Sequence, residues 1–359
     1  MRQLSVAFMA LLTASTPAAA QQVSVQAHVA GRTEIQQNQQ RPPVRVQPGR
    51  DRRGGPDGRE EQSETFKKVV RLGGNGQLDI SNITGDITIV RGGGNEATIE
   101  VTKVARAQTI DEAKQLLPVV KVEIEERGNR TQVRTLYPQQ ENTYRNRRNI
   151  NVAVHYMITA PAGTRLSARS LTGNLRATDI AGELSLITTS GNVQVTRARS
   201  VGSVKSTSGS IEVTETDSET AIAAATISGN VTVRQVKAPS MELATVSGNV
   251  SLSDVQCRRL EAQSLSGDVE YVGGFVKGGR YEINSHSGNV RLSMTPGTGF
   301  EVEANSWSGK VETELQISGN HDQDIPNGRR RKSLRGVVGD GNAVLEITTF
   351  SGNVWIGKK

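Results

Sequence analysis

The side chains able to do chemistry are few and dispersed. The 359-residue chain has four histidines and one cysteine. His28 falls in a Gln- and Arg-rich leader, and His155, His286 and His321 lie far apart, with no pair at metal-ligand spacing. No Ser-His-Asp set is legible. The glycine clusters at 73–76 and 92–94 lack the strand–turn–helix setting that makes a phosphate-binding loop. Cys257 has no intrachain partner and reads as a small packed side chain rather than a nucleophile. These residues predict no catalytic group, no metal and no cofactor.

The other chemically capable groups recur. Ser/Thr-Gly followed by Asn, Ser, Asp or Lys and then an aliphatic residue appears with glycines at 173, 191, 209, 229, 248, 267, 288, 309 and 352. The spacing is 18 to 21 residues, with a last gap of 43, about two periods. Such a period is the signature of a solenoid whose coils stack only on neighbours. The Asn, Ser and Asp residues could be ligands. Calcium-binding repeats, however, need many carboxylates at short period, and Asp86 and Asp268 stand alone in this column.

Aligned on the glycine, the flanks alternate with period two, as strands with one inward face do. Aliphatic residues stand two after it (Leu175, Val193, Ile211 and onward) and mostly so four after, five before and seven before, where Gly202 is an exception. A hydroxyl, from Ser170 to Thr349, stands three before it in every copy and is expected to face inward. Glycine and Asn are expected to turn the chain through positive φ, with the Asn residues stacked in an amide ladder interrupted at Ser210, Asp268 and Lys310. The fold expected is all-β, a single-stranded β-solenoid (β-helix) of ~20-residue coils, with a strand-rich N-terminal insertion or cap.

Flanking segments complete the plan. Arg2, the apolar run 4–12 and Ala18-Ala19-Ala20 predict a cleaved signal peptide over 1–20, hence an exported chain: periplasmic, cell-surface or secreted. No further apolar run of spanning length follows. Residues 21–62 read as a disordered Gln/Arg/Pro-rich leader, and 63–359 as the solenoid domain, with order starting near Phe66. Residues 91–165 form an insertion expected to cap or flank the first coils. Its strands are predicted at 97–104, 119–124, 131–136 and 150–158, with a helix at 110–117 capped by Thr109 and stopped by Pro118.

The formal charge of +7 concentrates in the leader, in Arg145, Arg147 and Arg148, and in Arg329, Arg330, Arg331, Lys332 and Arg335. With aromatics at 3% and no recognition helix, specific nucleic-acid binding is not expected. Attraction to anionic polymers or envelope surfaces stays open. Residues 319–335 are expected to project as a basic loop, the best place to seek specificity. Two before the glycine, an outward column ends in His286, Trp307 and Phe350. Neighbouring loops are expected to cover this strip; otherwise it would suit glycan or protein contact.

The early Thr84-Gly85-Asp86-Ile87 copy, the insertion ending in Ala160-Pro161-Ala162-Gly163-Thr164, the serial Ser-Gly-Asn-Val coils and the terminal run Phe350-Ser351-Gly352-Asn353-Val354-Trp355-Ile356-Gly357 closely resemble the bacterial putative-adhesin family, a β-strand-repeat domain of unknown function. The resemblance covers roughly 65–359. It implies a β-solenoid at the cell envelope or outside it, and brings no catalytic residues. The function expected is a non-catalytic, exported, adhesin-like binding module whose partner is an envelope glycan or protein. The alternatives are a scaffold or regulator in envelope-stress signalling with a protein partner, and a glycan-active β-helix enzyme.

Overall fold

The structure, a computed structural model, describes residues 58–138, 150–319 and 332–359. The chain divides into two units, Met1–Pro43 and Val44–Lys359, and every described residue lies in the second. The signal peptide and most of the leader therefore fall outside the described residues. Each repeat is one coil, named here by its glycine. The strand before the glycine joins one thirteen-stranded sheet (the leading sheet) and the strand after it joins another (the trailing sheet). Neighbouring coils pair in parallel, like residue beside like: Val193 beside Leu175 and Ile211, Leu243 beside Ala224 and Ala262. The inward aliphatic columns form one core between the sheets. A register shift between Leu184 and Ser185 removes the Gly202 exception, because Val201 takes the place opposite Leu184 and is buried.

The corner chemistry is partly as expected and partly not. The inward hydroxyls are buried, and from Thr188 to Thr349 each donates to the carbonyl of the glycine one coil back, at 2.8–3.2 Å. Positive φ, expected at every corner glycine, is found at four of the nine, Gly173, Gly191, Gly209 and Gly248, with φ of 147–159°. Gly229, Gly267, Gly288, Gly309 and Gly352 are outside the left-handed region, as are the Asn residues. The requirement is space: a Cβ on any of the nine would overlap the carbonyl of the adjacent coil's glycine. Left-handed residues occupy the other corner instead, where Asp179, Arg197, Glu215, Gln235 and Asp254 have φ of 50–60°.

The amide ladder runs without interruption. Each side-chain oxygen accepts the backbone N–H of the equivalent residue in the next coil, at 2.7–3.2 Å, from Asp86 through Asn174, Asn192, Ser210, Asn230, Asn249, Asp268, Asn289 and Asn353 to Lys310. Ser210 and Asp268 continue it because the ladder needs only an acceptor oxygen. Lys310 has none and ends it.

The N-terminal end is closed by the insertion. Val152–Pro161 pairs parallel with Ile87–Gly92, then Glu96–Ala107 and Glu60–Arg71 add antiparallel. On the other sheet Arg130–Leu136 follows Gln77–Thr84, and Lys121–Arg127 folds back as a hairpin. Order begins by Glu60, six residues before Phe66, because this segment finds a full-length partner in Glu96–Ala107. The helix is Ile110–Leu116, with Thr109 Oγ1 accepting from Glu112 N at 3.2 Å and Pro118 in a 3-10 turn behind it.

The C-terminal end departs from chain order. The last coil, Ala343–Thr349 with Val354–Lys358, lies between the Gly288 and Gly309 coils. The Gly309 coil, earlier in sequence, is thus outermost, and Ser333–Val338 pairs antiparallel on its free edge. The expected loop 319–335 is corrected at its end: Ser333 to Arg335 are strand, with Arg335 opposite Glu303, and opposite charges across a pair favour that docking.

Candidate functional site

The candidate surface is built at the glycine corner from the residues two positions before each glycine. Parity points them outward while their neighbours' hydroxyls point in. His286, Phe350 and Trp307 occupy three successive coils because of the inserted last coil. Backbone hydrogen bonds fix this order: Ser351 N donates to His286 O at 2.9 Å and Ser308 N to Phe350 O at 2.9 Å.

The rings stack along the solenoid axis. His286 and Phe350 have centroids 5.0 Å apart with planes at 6°, and Phe350 and Trp307 are 6.2 Å apart at 7°. Among the described residues no loop covers the strip, contrary to the expectation. Trp307 is 70% exposed and Phe350 46%. Because Trp307 belongs to the outermost coil, Phe350 is its ring neighbour among the described residues, on one side only. Leu265, in the coil beyond His286, prolongs the apolar ridge and is itself exposed. Beside the rings run exposed polar rows: Ser287, Ser351 and Ser308, then Asn289 and Asn353 of the ladder.

The basic residues divide. Lys332 sits at this corner, its carbonyl accepting Ser306 N at 2.7 Å, one residue before Trp307. Arg335 lies in the edge strand on the leading sheet. Arg329, Arg330 and Arg331 fall outside the described residues. Sequence reasoning found the aromatic residues but not their spatial order, since the chain runs 286, 307, 350.

A concavity of about 390 Å³ lies at the left-handed corner between Arg91, Asp179, Arg197 and Arg199. Sequence reasoning missed it, because equivalent residues six after the glycine become neighbours only in register. Arg197 bridges Asp179 at 2.6 and 3.0 Å and Glu215 at 3.2 Å. The Arg197 hydrogen bond holds the Asp179 carboxyl below its usual pKa. The cluster stitches three coils at an exposed corner.

Elsewhere the Asn342 hydrogen bond lowers the pKa of the exposed Asp340 carboxyl, and several buried groups are kept protonated. Burial pushes the Cys257 thiol and the Tyr156 and Tyr281 phenols up to about 12. A thiol held there is no nucleophile at neutral pH. Among the described residues no group of three or more His, Cys, Asp or Glu could hold a metal ion, and no helix is long and apolar enough to cross a membrane.

Comparison of the sequence with curated proteins finds no match. Among solved structures, the chain is similar to a putative lipid binding protein from Parabacteroides distasonis (TM-score 0.42, 11% identity, 81% of this chain and 96% of that one). It is likewise similar to a putative adhesin from Bacteroides fragilis (TM-score 0.40, 11% identity, 81% and 96%). A sequence-family match, to the family described as Toastrack DUF4097, runs from residue 75 to 357, from the first coil to the last strand, and the chain belongs to that family.

Proposed function

We propose that this chain is a non-catalytic binding module, exported to the cell envelope or beyond, whose contact surface is the aromatic glycine corner and whose ligand is an envelope glycan. The observation that carries this reading is the exposed, parallel stack of His286, Phe350 and Trp307. A stack of this kind is rigid and loses little entropy on binding. At its end one indole face has no ring against it among the described residues and suits the apolar face of a sugar ring. The neighbouring Ser and Asn rows offer hydroxyls and amides at the ~4.8 Å strand spacing, suited to a polyhydroxylated chain. Large exposed apolar side chains rimmed by polar groups mark interaction sites.

The test is retention of the purified chain on immobilised envelope polysaccharide, compared with Trp307→Ala and Phe350→Ala. Both substitutions lie outside the core and should leave the fold intact. Trp307→Ala is expected to weaken retention at least about tenfold, the scale of an aromatic hot spot. Unchanged retention in both variants would remove the corner from the reading. Capture of one envelope protein, with no polysaccharide retained, would replace it with the regulator alternative.

A further inference from the structure

The outer face of the leading sheet is divided by charge. Six residues before the glycine, Glu242, Glu261, Glu282, Glu346 and Glu303 stand side by side on five adjacent strands. Like charges directly opposite one another in a sheet destabilise it. With Glu301, and against Arg259 and Arg280, these five strands carry six acidic and two basic outward residues, a net −4. The five strands toward the N-terminal end carry the opposite sign. There Arg130, Arg134, Arg165, Arg169 and Lys205 outnumber Asp79 and Glu183, a net +3. Between the halves lies Ile222–Ser228, the seventh of thirteen strands, whose outward residues include Ala223 and Ala225.

We infer that this face is an interface for a second copy of the chain, related by a two-fold axis that runs along the Ile222–Ser228 strand. That operation keeps the strand direction, reverses the coil order and is self-complementary, as a two-fold interface must be. It brings the Gly248 coil opposite the Gly209 coil, so Glu242 meets Lys205. The Gly288 and Gly173 coils meet next, with Glu282 between Arg165 and Arg169. At the ends Glu303 faces Arg130 and Arg134, and Arg335 faces Glu123 and Glu125 of the hairpin strand. The acidic column falls between the two basic columns rather than on top of either, since these stand two residues to each side, about 6.6 Å.

Three like-signed meetings remain, and each has its own compensation. Arg280 falls opposite Arg165 in one column; Arg280 is held by Glu346 at 3.4 Å, and Arg165 has Glu282 of the other copy beside it. Asp79, opposite Glu346, is held by Arg130 at 2.6 Å, and Glu346 by Arg280 at 3.4 Å. Glu183, opposite the Gly267 coil, meets Arg259 in its own column. The central alanines let the two backbones approach where no charge needs room. Eleven strands from Arg130 to Glu303 span about 48 Å, and four outward columns about 20 Å, so the face offers near 1,000 Å² per copy. A stable interface needs roughly 800 Å² per partner. The axis also sets both aromatic corners on the same rim of the dimer, running in opposite senses.

The experiment is sedimentation of the full chain at low and high ionic strength, with two charge-reversed variants. One carries Glu242→Lys and Glu282→Lys, the other Arg169→Glu and Lys205→Glu. The unmodified chain should dimerise, and more weakly as salt rises. Each variant alone, with an unchanged circular dichroism spectrum, should bind itself at least about a hundredfold more weakly, because like-charge juxtaposition costs several kcal/mol. An equimolar mixture should recover a heterodimer, since both halves of the interface are again complementary. An unmodified chain that stays monomeric at low salt overturns the inference. So do reversed variants that still self-associate, or a mixture of folded variants that does not.

Discussion

A single buried hydroxyl column separates what a residue type promises from what its neighbours allow. Ser264 and Ser170 occupy equivalent places, both buried, three before a glycine. Ser264 Oγ donates to the Gly248 carbonyl at 2.9 Å, while Ser170 Oγ has no partner among the described residues. The cause lies one coil back. Asn82 stands where the hydroxyl would be and donates Nδ2 to its own Gly85 carbonyl at 2.9 Å and to Val154 O at 2.9 Å. The acceptor that Ser170 would use is already taken. Removing a bonded hydroxyl leaves a buried carbonyl unpaired, at about 1–3 kcal/mol, whereas removing an unpaired one costs little or stabilises. In urea melts Ser264→Ala should therefore lose about 1–3 kcal/mol and Ser170→Ala no more than about 0.5. Equal losses would show that the two hydroxyls share a role that their hydrogen bonds do not explain.

Each coil has two corners, and they solve the turn differently. At the glycine corner the constraint is the neighbouring coil's carbonyl, so the residue lacks a Cβ. At the opposite corner Gln235 turns left-handed at φ 53°, a conformation costing about 1–2 kcal/mol for a residue with a Cβ. Its side chain is exposed. Gln235→Gly should relieve that strain and return about 0.4–1 kcal/mol as unfolded-chain entropy, for a net gain near 0.5–1. Gln235→Val, β-branched, should instead destabilise; thermal melts of the pair decide the sign. The contrast shows what was legible in the sequence. Period-two columns, the inward hydroxyls, the Thr109 cap and the family resemblance all depend on local spacing; the structure bears out the first three, and the match over residues 75–357 the last. The left-handed corner was not legible, because Asp, Arg, Glu and Gln in one column share no type that signals positive φ. Nor was the role of glycine, since a clash with the next coil depends on stacking distance and not on the local sequence. At the candidate site the three aromatic residues were visible, but not that they remain exposed, which depends on where the loops go.

Stacking order belongs to the whole molecule, and here it differs from chain order. A regular solenoid read along the sequence would put Gly352 in the terminal coil and Gly309 one or two coils inside. The structure reverses them. Gly352 sits between coils: Thr349 Oγ1 donates to Gly288 O at 3.2 Å on one side, and Ser306 Oγ to Gly352 O at 2.8 Å on the other. The 43-residue gap that reads as about two periods is the length needed to pass outward, add Ser333–Val338 on the edge and return to fill the vacant place. A methyl group at either glycine meets the preceding carbonyl, but the consequences differ. At Gly309 the outermost coil can lift away, with only one neighbouring coil disturbed, and terminal elements open at low cost. At Gly352 the coil is held on both faces and cannot yield without separating the Gly288 and Gly309 coils. Gly352→Ala should therefore cost at least about 3 kcal/mol, the upper end for overpacking, against about 1 kcal/mol for Gly309→Ala. Equilibrium unfolding of the two variants tests the inserted order directly. If Gly309→Ala proves the more damaging, the last coil does not lie between its neighbours.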